Sequence, residues 1–345
     1  MIWLTWRQYR VQTLVALAAL AVIAAVLVVI GVQLHDSYDS TVATCQSACE
    51  SAKDVIRSEY NVLFYFVAGL LIAVPGIIGI FWGAPLIARE LETGTHRLVW
   101  NQSISRTRWF VVKLAAVGLT AVAITGLLSL LVTWAAGPLD KINVDRFTPL
   151  LFDARGIVPL GYAAFAFTVG ACAGLLIRRT VPAMAATLVV FVAVQVLMPF
   201  AIRPHLMSPE RTDIALSSLA VSRVGPDGEP GAPASGWQAG LFRMKGSGAD
   251  TQLTMTVSNS GAWVVSDESP VLDSAGKVAT GSQVCPNSGP DDLMPCLTKS
   301  DLHMEVAYQP SDRYWTFQWI ETGLFLVLTG LLAGFSIWWL RSRLA

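Results

Sequence analysis

"NVLFYFVAGLLIAVPGIIGIFWG", residues 61–83, carries no charged side chain from end to end. A helix rises 1.5 Å per residue, so a run of this length crosses the ~30 Å hydrocarbon core of a bilayer. Buried helices of soluble proteins rarely go so far without a charge. The stretch therefore predicts a membrane span, and working outward from it the pattern recurs. Apolar blocks at 11–34, 113–136, 157–177, 181–202 and 315–340 have similar lengths. The whole chain has 345 residues, is 54% hydrophobic and only 14% charged, and has a mean hydropathy of +0.54. The expected fold is an all-α polytopic membrane protein of six transmembrane helices. A small β-rich extracytoplasmic domain lies between spans five and six.

The first block follows a basic lead with Arg7 and Arg10, as a signal peptide would. Its apolar core is longer than an h-region and no A-x-A site follows, so it is expected to be a retained helix. Trp3, Trp6 and Tyr9 suit an interfacial lead over residues 1–10.

Net charge is zero, yet the distribution is lopsided. With the N-terminus placed inside, the inner segments hold Arg7, Arg10, Arg89, Arg97, Arg106, Arg108, Lys113, Arg178, Arg179, Arg341 and Arg343, against only Glu90 and Glu92. Short inner loops rich in Lys and Arg are what the positive-inside rule counts. Six spans then put both termini in the cytoplasm of a plasma-membrane protein. Spans one to five occupy 11–202 and include a cytoplasmic segment, 84–112. Span six and a tail occupy 315–345.

Residues 203–314 are long enough to form a domain. "VGPDGEPGAPASG" at 224–236 reads as loop. "LTMTVS" at 253–258 alternates apolar and polar residues, as does "LHMEVAY" at 302–308, and "AWVVS" follows a "SNSG" turn. These are strands with one buried face. Cys45, Cys49, Cys285 and Cys296 all fall on the oxidising side, while Cys172 sits alone in span four. Up to two bridges are expected, with three connectivities open. Cys285–Cys296 spans a Pro- and Gly-bent loop; Cys45–Cys49 is the tighter pair if both lie in one helix. A single CxxxC is not a zinc framework.

No phosphate-binding loop, GxSxG or HExxH pattern is present, so no catalytic constellation is expected. Polar residues in the spans are few: Gln195 in span five, and Gln318 and Glu321 near the start of span six. They are candidates for lining a pathway. Glu321 at membrane depth must snorkel, pair or face water, and Gln318 shares its helix face.

A compact, mixed-charge segment lies between apolar runs at 89–100, "RELETGTHRLVW". "IARELETG" reads as a short helix stopped by Gly94. Leu91, Leu98, Val99 and Trp100 give it an apolar side, and Arg89, Glu90, Glu92 and Arg97 a charged one. Such an element either presents charge to a soluble partner from the membrane surface or is a solvated linker.

"GAPLIARELETGTHRLVWNQSISRTRW", 83–109, resembles the loop between spans two and three of ABC-transporter permeases of the type-2 exporter class, especially actinobacterial six-span half transporters. "MIWLTWRQYR" at 1–10, "RRTVPAMAAT" at 178–187 and "YQPSDRYWTFQWIE" at 308–321 are also similar to that family. The resemblance implies that the acidic stretch and its Gly-Thr form a coupling helix against an ATPase, with Arg89, Glu90, Glu92, Gly94, Thr95 and Arg97 as coupling residues. It implies an ABC ATP-binding subunit on another chain, carrying the ATP and Mg, and no cofactor on this one. It also implies a second permease copy or a paralogue, membrane lipid as neighbour, and no nucleic acid. The cargo would be a drug-like, peptide or lipid-like compound, exported by alternating access. Gly170-x-x-x-Gly174 and Gly330-x-x-x-Gly334 permit close helix approach, either within one chain or between two. A membrane-anchored extracytoplasmic sensor or interaction protein without an ATPase is the alternative.

Overall fold

The computed structural model describes residues 2–45, 49–94, 105–142, 146–218, 237–245, 252–259, 261–266, 268–280, 284, 296 and 300–343. The apolar blocks and the stretches beside them form helices α1 (Ile2–Thr41), α2 (Cys49–Ile78), α3 (Ala84–Glu92), α4 (Arg106–Ala135), α5 (Gly137–Lys141), α6 (Pro149–Ala154), α7 (Val158–Ile177), α8 (Thr180–Leu197) and α9 (Tyr314–Arg343). Among the described residues, six stretches are long and apolar enough to cross a membrane: Leu17–Thr41, Val62–Glu92, Arg106–Ala135, Val158–Ile177, Thr180–His205 and Ser311–Arg343.

Two boundaries differ from the sequence reading. The second span does not stop at residue 83. It passes through a π-turn, Gly79–Gly83, straight into α3, and ends where Gly94 takes φ 73°. Residues 87–92 therefore extend a span, where the sequence suggested a separate surface helix. The stretch 137–156, between the apolar blocks that end at 136 and resume at 157, is not a bare connection but folds into α5 and α6, with Leu151, Phe152, Asp153 and Ala154 buried.

One compact unit contains the spans: residues 1–139, 149–206 and 315–345. Its centre is α7, most of which is buried. The GxxxG of α7 serves packing within the chain. A Cβ on Gly174 would stand 2.5 Å from the Ala84 carbonyl oxygen, and one on Gly170 would collide with the Gly79 carbonyl. A Cβ on Gly79 would in turn stand 2.6 Å from the Ala166 carbonyl oxygen. Only hydrogen at these positions lets the two backbones close up. Farther out, α4 packs Trp109, Phe110 and Val117 against Leu86, Ile87, Phe167 and Leu175. The flanks of α1, α8 and α9 expose apolar side chains, such as Val22 (65%), Val189 (67%) and Leu331 (65%), on a surface that suits hydrocarbon. Among the described residues nothing would stand within 4 Å of a Cβ at Gly330 or Gly334, so the second GxxxG is open there.

A second compact unit comprises residues 140–148 and 207–314. It holds strands β1 (Glu210–Ala215), β2 (Trp237–Lys245), β3 (Gln252–Asn259), β4 (Ala262–Val264), β5 (Ser269–Leu272) and β6 (His303–Pro310). All pairings are antiparallel in the order β1-β6-β4-β3-β2, with β5 also bridging β3 and β6. The alternation at 253–258 and 302–308 marks β3 and β6. Leu253, Met255 and Val257 pack with Met304, Val306, Ile214 and Val271 in one apolar cluster. β1, β2 and β5 were not anticipated. The edge strand β2 carries a register shift between Ala239 and Phe242, the kind of irregularity that discourages edge pairing. Phe147 stacks on Trp263 at 5.8 Å and meets Tyr314 edge-on at 5.7 Å.

Candidate functional site

Two polar assemblies sit in the helical unit, one toward each end of the spans. The first lies where α8 ends and α9 begins. Pro199 has no N–H to continue the helical ladder. α8 widens there into a π-turn, Met198–Ile202, and then a single 3₁₀ turn, Arg203–His205. The irregular backbone turns Arg203 into the bundle, 1% exposed.

Three elements converge on that guanidinium. Glu321 of α9 takes both its Nε–H at 2.9 Å and an Nη2–H at 3.0 Å, a two-toothed pairing. Asp153 of α6 accepts from the same Nη2. Tyr162 of α7 donates to Glu321 at 2.6 Å and lies 3.5 Å from Asp153. The guanidinium also rests 4.1 Å above the Phe152 ring centroid. Burial pushes the Asp153 carboxyl up to about 7; Arg203 pulls it down, and Glu321 adds to the rise. The charge at Glu321 is thus paired, not left to water.

Gln318 stands one turn before Glu321 and is fully buried. α7 starts at Ile157 and Val158 without a side-chain cap of its own. The Gln318 Oε1 accepts from the Ile157 N–H at 2.9 Å and the Val158 N–H at 3.0 Å, and its Nε2 donates to the Phe152 carbonyl at 3.2 Å. A side chain from the last span therefore satisfies backbone groups that a helix terminus leaves open. Ser129 and Thr133 of α4 hold Gly156 beside it.

The second assembly lies at the far end of the spans, around α3. Glu90 pairs with Lys113 of α4, and Lys113 also lies 5.0 Å over the Trp109 ring. Glu92 Oε2 accepts from the Thr180 N–H at 3.0 Å and the Thr180 hydroxyl at 2.7 Å. Arg89 is exposed. The hairpin between α7 and α8 is two residues long, with Arg178 in the left-handed region at φ 59° and Arg179 extended. Pro182 falls in the first turn of α8 at its third position, still among the N–H groups with no intrahelical partner.

The expected site residues separate accordingly. Gln318 and Glu321 come together in one network. Gln195 stands apart from it, its amide atoms buried with no hydrogen-bond partner. Arg89, Glu90, Glu92 and Gly94 gather at the end of α3; Thr95 and Arg97 lie outside the described residues. Cys45 and Cys49 form a disulfide, Cα–Cα 5.6 Å, but not within one helix. Cys45 follows α1 and Cys49 opens α2, so the bridge ties the connection between them. Cys285 lies outside the described residues, and its pairing with Cys296 stays an expectation. Among the described residues no group of three or more His, Cys, Asp or Glu is placed to hold a metal ion.

Sequence reasoning missed Asp153, Tyr162 and Arg203. Asp153 falls between the expected spans three and four, Arg203 at the start of the expected extracytoplasmic domain, and Tyr162 within an apolar run. The unpaired Glu321 was the available signal, since a carboxylate at that depth demands a cationic partner.

Residues 17–203 match the family described as ABC-2 membrane transporter related. No curated protein matches the chain, and no solved structure does.

Proposed function

The chain belongs to the ABC-2 membrane transporter related family, and from that premise we propose that it is the permease half of an ATP-driven exporter. Its role is to carry a drug-like, peptide or lipid-like compound outward across the plasma membrane by alternating access. The observation that carries this reading is the reach of the family match, which takes in the first four spans, α3 at the end of the second, and nearly all of the fifth. The sequence lacks a phosphate-binding loop, which fits an engine on a separate ATP-binding subunit. The exposed Arg89 and the basic hairpin Arg178–Arg179 belong to the end that meets that subunit, in the cytoplasm. Two permease copies, or one copy and a paralogue, form the pathway, and the open Gly330 and Gly334 suit a close helix approach between them.

The test is affinity purification of the tagged chain from its native membranes, followed by assay of ATP hydrolysis. Co-purification of an ATP-binding protein whose hydrolysis depends on the permease is the expected result. A chain that purifies alone, with a ligand bound to residues 203–314, would favour the sensor reading.

A further inference from the structure

We propose that Glu92 is a positioning residue that carries the movement of α3 into span five, and that it does not itself dock on the ATPase. The proposal rests on the ATP-coupled reading above. The first observation is the cap. α8 begins with Arg179 as N-cap, and no side chain of that segment caps it. The Glu92 carboxylate does so from another helix, taking the Thr180 N–H and the Thr180 hydroxyl on one oxygen. A carboxylate at a helix N-terminus satisfies an open donor and opposes the positive end of the helix dipole.

The second observation is what lies under the cap. Ala84 and Ala88 of α3 and Ala183 of α8 form a cluster with 0% exposure, and Gly174 of α7 closes on Ala84 and Ala88. Apart from Met184, partly buried beside it, the contact is made of methyl groups and hydrogens that have no rotamers to change, so little of a shift of α3 is absorbed by rearranging side chains. The turn of two residues between α7 and α8 adds no slack. On the other flank, Glu90 is joined to Lys113 of α4. Both acids of the Arg-Glu-x-Glu run are thus engaged inside the chain. Pushing α3 moves the start of span five with it, as a packed rigid body.

The two roles predict different substitution patterns. Glutamine keeps an oxygen that can accept from Thr180 but has no charge. A cap survives Glu92→Gln and is lost in Glu92→Leu, whereas a docking charge is lost in both. The experiment uses the permease with its co-purified ATP-binding protein in proteoliposomes, with Phe200→Cys at the exposed far end of span five as reporter. Maleimide labelling of that position is timed with and without ATP and vanadate, and the ATP-binding protein retained is measured alongside. Wild type and Glu92→Gln are expected to show the same ATP-dependent change in labelling. In Glu92→Leu the change should be clearly reduced, since the alanine packing remains but the cap is gone, while the ATP-binding protein stays bound in full. A cross-linked Ala88→Cys/Ala183→Cys protein should keep the change, since those helices move together.

The proposal is overturned if Glu92→Leu keeps the wild-type ATP-dependent change, if either Glu92 variant loses the ATP-binding protein, or if the cross-link abolishes the change and reductant restores it. A wild-type protein that retains no ATP-binding partner would sink the exporter reading itself, and this inference with it.

Discussion

Gly156 makes room for Gln318. At φ 71° a side chain is strained, and a Cβ there would stand 2.6 Å from the Gln318 amide oxygen that caps α7. Gly156→Ala should therefore cost the left-handed backbone penalty of about 1 kcal/mol and also displace the cap, stranding buried N–H groups at about 1–3 kcal/mol. Gly94, with φ 73° and none of the described residues within 4 Å of an added Cβ, serves as the comparison for the backbone share. Melting of the detergent-solubilised protein should show a clearly larger loss for Gly156→Ala than for Gly94→Ala. Equal losses would mean that the cap contributes nothing.

The Arg203 assembly is a buried ion cluster, and removing one member leaves uncompensated charge. Arg203→Met should destabilise the helical unit by about 3–5 kcal/mol, whereas neutralising all three members together should cost far less. The comparison is Arg203→Met against Arg203→Met/Asp153→Asn/Glu321→Gln, followed by thermal melting or expression level. A triple variant no better than the single one would refute the pairing.

The raised Asp153 carboxyl gives a pH signature. In the folded protein it holds its proton up to about 7, well above its ordinary value, chiefly because it is buried. The folded state thus binds more protons than the unfolded state between roughly pH 4 and 7, so this group's contribution is full at low pH and is lost as pH rises through 7. Asp153→Asn removes that dependence. The stability of wild type relative to Asp153→Asn should fall from pH 5 to pH 7 and level off above. A difference that is flat or rises over that range would contradict the burial.

How far the sequence could be read depends on the residue. Spans announce themselves because about 20 apolar residues in a row have few soluble uses, and β3 and β6 because alternation at Leu253–Val257 and Met304–Val306 has period two. The polar assemblies were less legible. Arg203 follows a proline-bearing π-turn and Asp153 sits on a helix of one or two turns, and neither has a periodicity to mark it as buried. Their partner Glu321 lies far along the chain, so the network exists only in three dimensions. Glu92 misleads in another way. An acid beside a helix-stopping Gly94 looks outward-facing in sequence, and only the packing of α3 on the α7–α8 hairpin brings Thr180 to it.

The two GxxxG runs make opposite predictions. Gly170→Val drives a side chain into backbone atoms of span two that cannot turn aside, so the penalty should exceed the about 1–3 kcal/mol of ordinary overpacking and prevent folding. At Gly330 an added Cβ meets none of the described residues within 4 Å, so Gly330→Val should change the monomer's stability little. If copies meet there, that variant should dissociate the assembly, which native mass spectrometry or chemical cross-linking will show. A well-folded Gly170→Val protein would contradict the close approach.

The Cys45–Cys49 bridge closes a very short loop, so its contribution in the chain-entropy picture is about 2 kcal/mol. Non-reducing mass mapping should recover the two cysteines linked, and free thiols at both would refute the bond.

Span two resembles a shaft cut with two keyways. A π-turn holds one residue more than the α-turn it replaces, and each added residue advances everything beyond it by about 100° around the axis. The insert at Gly79–Gly83 therefore sets the angular phase between α2 and α3. Shortening it by one residue would leave both helices intact and the composition almost unchanged, yet it would swing Glu90 off Lys113 and Glu92 off Thr180 in the same stroke.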